Sequence, residues 1–184
     1  MLGPPTLKVG DRIAARLVTA VIVAADVPPV PVVAQGGDGS TWLGYAGLQS
    51  DRRVHISFRA VDHAGASSEV GLPLAGINGV ALDPESMSPG LPGRAVIRPG
   101  ATVVASITAV AQAASEYVQA VARAAQFTVS DGGTQITVGG PAPGWTYAAS
   151  HFADMLNSQT ARIAIETFEV GPGAPCLILI TGAP

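Results

Sequence analysis

Arg53-Val54-His55-Ile56-Ser57-Phe58-Arg59-Ala60-Val61-Asp62-His63, written RVHISFRAVDH, is the stretch on which the reading of the fold turns. Val54, Ile56, Phe58 and Ala60 alternate with Arg53, His55, Ser57 and Arg59, the period of two that marks a strand with one face on a core. The same eleven residues hold two of the three histidines of the chain and a carboxylate, so they are also the first place to look for a site. On a straight strand at about 3.3 Å per residue, His55 and His63 stand about 26 Å apart, whereas the ligands of one metal lie within about 4 Å of each other. They cannot share an ion. Asp62 and His63 point to opposite faces of an extended chain and do not orient one another. The expectation is a solvated strand face.

Working outward, the downstream stretch 63–94 reads as a long excursion of turns carrying short apolar clips. Loops of that length in a compact domain are functional or are pinned by contacts outside it. AVIRPGATVVASITAV (95–110) reads as two strands broken at Pro99-Gly100. ITAVAQAASEYVQAVARAAQ (107–126) is the strongest helical pattern, with Val110, Ala113, Ala114, Tyr117, Val118, Val121, Ala124 and Ala125 on one side and alanine supplying propensity. FTVSDGGTQITV (127–138) reads as a hairpin turned at Asp131-Gly132-Gly133. A short helix from Thr146 to about Leu156, a strand over 161–170 and a buried strand CLILI (176–180) follow.

Upstream, GPP (3–5), VPPVPVV (27–33) and QGGDGS (35–40) punctuate the chain. Prolines 28, 29 and 31 fix φ and remove donors, so this piece is expected to be extended and not an interior strand. Residues 1–40 are accordingly read as an arm or edge region, and 41–184 as a single β-rich domain with the long loop 63–94. IAARLVTAVIVAA (13–25) fits a short helix behind Asp11 or a buried strand, and periodicity does not arbitrate. Its apolar run of about nine residues is shorter than the ~20 needed to cross a bilayer. The expected class is mostly β (α+β): an antiparallel sandwich or barrel with one Ala-rich helix, one short helix and an extended N-terminal arm.

Catalytic constellations fail on spacing. His151 and Asp154 are neighbours at i, i+3 beside Ser150, but no G-x-S-x-G elbow is present, and a triad needs a geometry that one short helix does not supply. QGGDGS lacks both phosphate-loop patterns. Glu166 and Glu169 fall on opposite sides of a strand, and Asp83 and Glu85 flank Pro84 in a loop and read as solvent surface. Cys176 is the single cysteine and sits in an apolar run, where a thiol packs as a small hydrophobe. Enzymatic activity, a cofactor and a metal are not expected. A hydrolase centred on His151 is the weakest of the alternatives.

Composition points to assembly. Only 12% of the 184 residues are charged, the mean hydropathy is +0.39 and apolar residues make up 48%, too many for a disordered chain. Interspersed charge keeps small domains apart, so a surface this poor in ions is expected to be covered by sister molecules or other subunits. With one lysine, scattered arginines and a net charge of −3, no basic stripe for nucleic acid is expected, nor a membrane partner. Trp42, Tyr45, Trp145 and Tyr147, beside Gly-rich loops, are the expected interface anchors together with Pro28, Pro29 and Pro31. The same aromatics would instead stack on a ligand if the chain were a carbohydrate-binding β module.

The uncharged Ala/Gly/Pro/Thr-rich surface, GATVVASITAV (100–110), FTVSDGGTQITVGG (127–140) and the proline-rich N-terminal region together resemble the small structural proteins of tailed-phage virions, especially head decoration or cement proteins. That resemblance implies a β-sandwich or barrel that forms homo-oligomers such as trimers on a capsid protein lattice, is assembled in the host cytoplasm, and clamps neighbouring subunits through its arm and long loop.

Overall fold

The structure, a computed structural model, describes residues 7–25, 27, 29–62, 77–127 and 164–182. In chain order the elements are β1 (Arg12–Leu17), β2 (Val21–Ala24), β3 (Val30–Gly36), β4 (Thr41–Leu48), β5 (Arg53–Asp62), β6 (Asn78–Leu82), β7 (Leu91–Pro92), β8 (Arg94–Pro99), α1 (Gly100–Phe127), β9 (Ala164–Val170) and β10 (Pro175–Gly182). Six strands run in the order β4-β3-β1-β10-β6-β5, and β4 pairs with β5 to close an antiparallel barrel. Strand β7 adds to β5 at one end, and β2, β9 and β8 form a second, three-stranded sheet. The chain is mostly β, with a closed six-stranded barrel and one helix among the described residues.

The alternation read in RVHISFRAVDH is the barrel wall. Val54, Ile56, Phe58 and Ala60 are buried, while Ser57 and Arg59 are exposed. Ile13, Ala15 and Leu17 of β1, Trp42 and Ala46 of β4, and Cys176, Ile178 and Ile180 of β10 join them in one cluster. Six strands enclose a narrow space that side chains must fill completely. Phe58 fits because its partner is glycine on both sides, Gly44 on β4 and Gly79 on β6. A methyl group on Gly44 would stand 2.8 Å from the Phe58 ring and 2.6 Å from the Ser57 carbonyl; one on Gly79 would meet Ile178 Cγ2 at 2.5 Å.

Trp42 is fully buried in the barrel, and its indole N–H donates to Ser40 Oγ at 2.7 Å. The Ser40 hydroxyl in turn donates to Asp38, which also accepts the Ser40 backbone N–H at 3.0 Å. The one polar atom that Trp42 carries into an apolar core is thereby satisfied. Gly39, at φ +85°, makes the tight turn that brings this relay together between β3 and β4.

Several expectations are corrected. Residues 12–24 and 30–36, read as an arm or edge region, are not an arm: they supply β1, β2 and β3, with β3 between β4 and β1 in the barrel and β2 at an edge of the small sheet. Pro31 is tolerated there for a geometric reason. Two residues on, Val33 directs its N–H to Thr19 Oγ1 and its carbonyl to the Val18 N–H, on the side away from β4. By the alternation of an antiparallel ladder, the Pro31 nitrogen points the same way, past the Ala34–Gly36 segment where β1 pairs with β3, so no ladder bond is lost. The 13–25 stretch is two strands rather than one element. Part of the expected loop 63–94 is strand as well, since Asn78–Leu82 is β6, a barrel member paired with both β5 and β10.

The 95–110 stretch is also corrected. Arg94–Pro99 is a strand, but Gly100 begins a helix of 28 residues. The Thr-Val-Val run at 102–104 suggests a strand by propensity, yet Val103, Ile107, Ala111 and Ala114 are buried at steps of four, four and three, which is helical spacing. Ala113, assigned to the buried side, is exposed. Helix α1 lies over the outer face of β3, where Ala114 and Val33 form a small cluster with Val18, Leu43 and Tyr117, and the Tyr117 hydroxyl donates to Gln35 Oε1 at 2.8 Å. The hairpin expected at 127–138 and the short helix expected at Thr146 to Leu156 lie outside the described residues.

Candidate functional site

The barrel interior is occupied by packed side chains, so the candidate sites are on the outside. Two stand out: a polar cluster where β5 begins, and the outer faces of β3, β4 and β5.

The polar cluster is built around a strand start. The Asp51 carboxylate accepts the Arg53 backbone N–H at 3.0 Å, and His55 Nε2 lies 2.8 Å from Asp51 Oδ2. The hydrogen bond from His55, followed by that from the Arg53 N–H, holds the Asp51 carboxyl below its ordinary range. Arg53 reaches across to the turn after β6: Nη2 contacts Asp83 Oδ2 at 3.0 Å and donates to the Gly90 carbonyl at 2.8 Å, while Nε donates to the Pro89 carbonyl at 3.2 Å. Asp83 is only 8% exposed, which corrects its reading as solvent surface. It accepts the Ser86 hydroxyl at 2.6 Å and the Glu85 N–H at 3.1 Å, and these two bonds, with Arg53 beside them, lower its pKa. Sequence signals for this role were present in Asp83-Pro84-Glu85-Ser86, since an aspartate two residues ahead of a free N–H folds a turn on itself.

Chemically the cluster is a clamp. The Ser86 hydroxyl donates its hydrogen bond to Asp83 rather than to a histidine, and His55 is engaged by Asp51, so the components of a nucleophile–base pair are present but are aimed at different partners. Two further ion pairs tie the second sheet down: Arg98 to Glu169 at 2.6 Å, and Arg52 to Glu166 at 2.8 Å, with Arg52 also 5.0 Å from the centre of the Phe168 ring. Arg98 depresses the Glu169 carboxyl and is itself held more firmly protonated. Glu166 and Glu169 thus serve different arginines, as their spacing on a strand implies. Among the described residues, no group of three His, Cys, Asp or Glu side chains is placed to hold a metal ion, and no helix is long and apolar enough to cross a membrane. Cys176 is buried, and burial pushes its thiol up to about 11.

The expected interface residues separate. Trp42 is corrected: it is core, and neither a partner nor a ligand can stack on it. Tyr45, next but two on the same strand, faces outward at 40% exposure, and burial of the remainder raises its pKa. Pro31 is its direct cross-strand partner on β3 and Ser57 its partner on β5. Pro29 is exposed just ahead of β3. The structure therefore brings Pro31 and Tyr45 onto one outer patch with Pro29 at its margin. Pro28, Trp145, Tyr147, His63, Ser150, His151 and Asp154 lie outside the described residues. What the sequence reading missed is that the same outer row continues around the barrel, from Ser57 to Val80 on β6, Leu179 on β10 and Arg12 on β1. Only the strand order reveals it.

No family model matches the chain, and no curated protein matches it significantly.

Proposed function

We propose that the chain is a non-catalytic structural protein that acts by assembly, a virion component of the capsid decoration or cement kind, stabilising a lattice of other subunits. The observation that carries this reading is the division of labour between the two sides of the barrel wall. Inside, Trp42, Ile56, Phe58 and Ile178 fill the space; outside, Pro31 and Tyr45 share a patch on a surface poor in ions. A tyrosine held on a strand presents a large contact area at little entropic cost, and a proline beside it is already rigid, which is what a docking surface uses. The polar clusters support the same reading, because each arginine and carboxylate named above fixes a turn or a strand end.

On this reading the partners are further copies of the chain and the subunits of a larger particle, and repetition over many copies supplies avidity. Removal of an arm is not the way to test it, since β1 and β3 are barrel strands. The direct measurement is molar mass by light scattering over a range of protein concentrations. Self-association that weakens in Tyr45→Ser is the expected result. A chain that stays monomeric at every concentration overturns the reading.

A further inference from the structure

The outward positions of β1, β10, β6 and β5 carry a charge pattern that the whole-chain composition conceals. Ala14, Leu177, Leu179 and Val80 form an apolar centre that is only partly covered or exposed, in register across three neighbouring strands. Around it stand Arg12 and Arg16 on β1, at one side, and Arg59 on β5, at the other, all exposed. Three strand spacings of about 4.8 Å put the two sides about 14 Å apart along the curved wall. The outward residues of these strands between the two sides include no carboxylate: they are Pro175, Thr181, Asn78 and Ser57 besides those named. Farther along β5, the cation of Arg53 is already balanced by Asp83. The chain as a whole has 13 acidic residues against 10 Lys and Arg. With these three arginines set aside, the remainder holds 13 acids against 10 − 3 = 7 bases.

We infer that this face of the barrel is the surface by which one copy docks onto the acidic remainder of a second copy, head to tail. The inference rests on the assembly reading and adds a second contact face to the Pro31 and Tyr45 patch. An isologous pairing through this face would set arginines against arginines, which costs affinity, whereas the rest of a second copy carries an excess of carboxylates over cations. The apolar centre gives up its water on contact, and the arginine rim sets register and speeds encounter. A head-to-tail contact of this kind closes into a ring or continues as a row, according to the rotation it imposes.

The test uses the full chain and sedimentation velocity at increasing NaCl. Self-association should weaken several-fold between 50 and 300 mM salt, because the distance over which exposed charges act shrinks from about 14 Å to about 6 Å across that range. Arg12→Glu and Arg59→Glu should each weaken it by about tenfold at low salt, and the pair should leave monomer. Circular dichroism and the thermal midpoint should be unchanged in both variants, since these side chains are exposed. Where a variant is less stable, Arg12→Gln and Arg59→Gln give the readout instead, with a smaller loss. Association that is indifferent to salt and to all four substitutions overturns this surface while the assembly reading stands. A wild-type chain that never associates overturns both.

Discussion

The closed barrel and the three-stranded sheet solve the same problem in opposite ways. In the barrel every strand has two neighbours, so no edge is left to recruit a foreign strand. Among the described residues the small sheet β2-β9-β8 is open, with β2 and β8 as its outer strands. There Ile97 is 75% exposed, the largest exposure of a bulky apolar side chain among the described residues, yet it is flanked by Arg94, Arg98 and Pro99. Charge and proline are the usual means of blunting an edge. Closure thus protects by topology, and the open sheet protects by residue choice. The difference teaches where each region is vulnerable: the barrel to changes of volume, the sheet to changes of charge.

The largest effect should come from emptying the barrel. Phe58→Ala removes the ring that Gly44 and Gly79 accommodate, and is expected to cost about 3–5 kcal/mol, measured by chemical denaturation. Smaller but in the opposite direction of volume, Gly44→Ala should cost about 1–3 kcal/mol, because the added methyl presses on the Phe58 ring and the Ser57 carbonyl. The pair separates the two causes. If Gly44→Ala costs nothing in a Phe58→Leu background, the clash is with the ring; if it costs as much as before, it is with the backbone. Ser40→Ala should come next, at about 1–2 kcal/mol, because the buried Trp42 N–H loses its acceptor.

The open sheet and the clamp should answer to pH instead. Asp51, Asp83 and Glu169 all have folded-state pKa values below the ordinary range. Each therefore binds fewer protons folded than unfolded, so its contribution is present above the unfolded value and is lost as pH falls through the lowered one. The melting temperature should be level near neutrality and fall below about pH 4, and Asp83→Asn should flatten that fall. At the small end, Ile97→Thr should leave stability within about 0.5 kcal/mol, since the side chain is mostly in water. Replacing Arg94, the exposed arginine of β8, by alanine should change turbidity on heating more than it changes the midpoint, because the residue guards an edge.

Much of this wall was legible from pattern alone. Val54, Ile56, Phe58 and Ala60 announce their strand because a barrel wall has one dry face, and alternation records it. Asn78–Leu82 was hidden by its brevity and by Gly79, whose place is set by Ile178 and Phe58, residues distant in the chain. Gly100–Val110 was misread because β-branched residues favour strands locally, while the surface that receives Val103 and Ile107 is assembled from other strands. Trp42 and Tyr45 differ by three positions and therefore by side of the wall; the parity was in the sequence, but which side was inside was not. The arginine rim was illegible for the same reason, since Arg12 and Arg59 become neighbours of one face only through the order β1-β10-β6-β5.

Cys176 lines the inside of this wall at 1% exposure and is the single cysteine of the chain. A thiol reagent can reach it only when strands part, and its raised pKa slows the reaction further. The rate at which a chromogenic disulfide consumes the thiol therefore clocks how often the barrel breathes, and comparing that rate between lone and assembled molecules would time the locking of each stave.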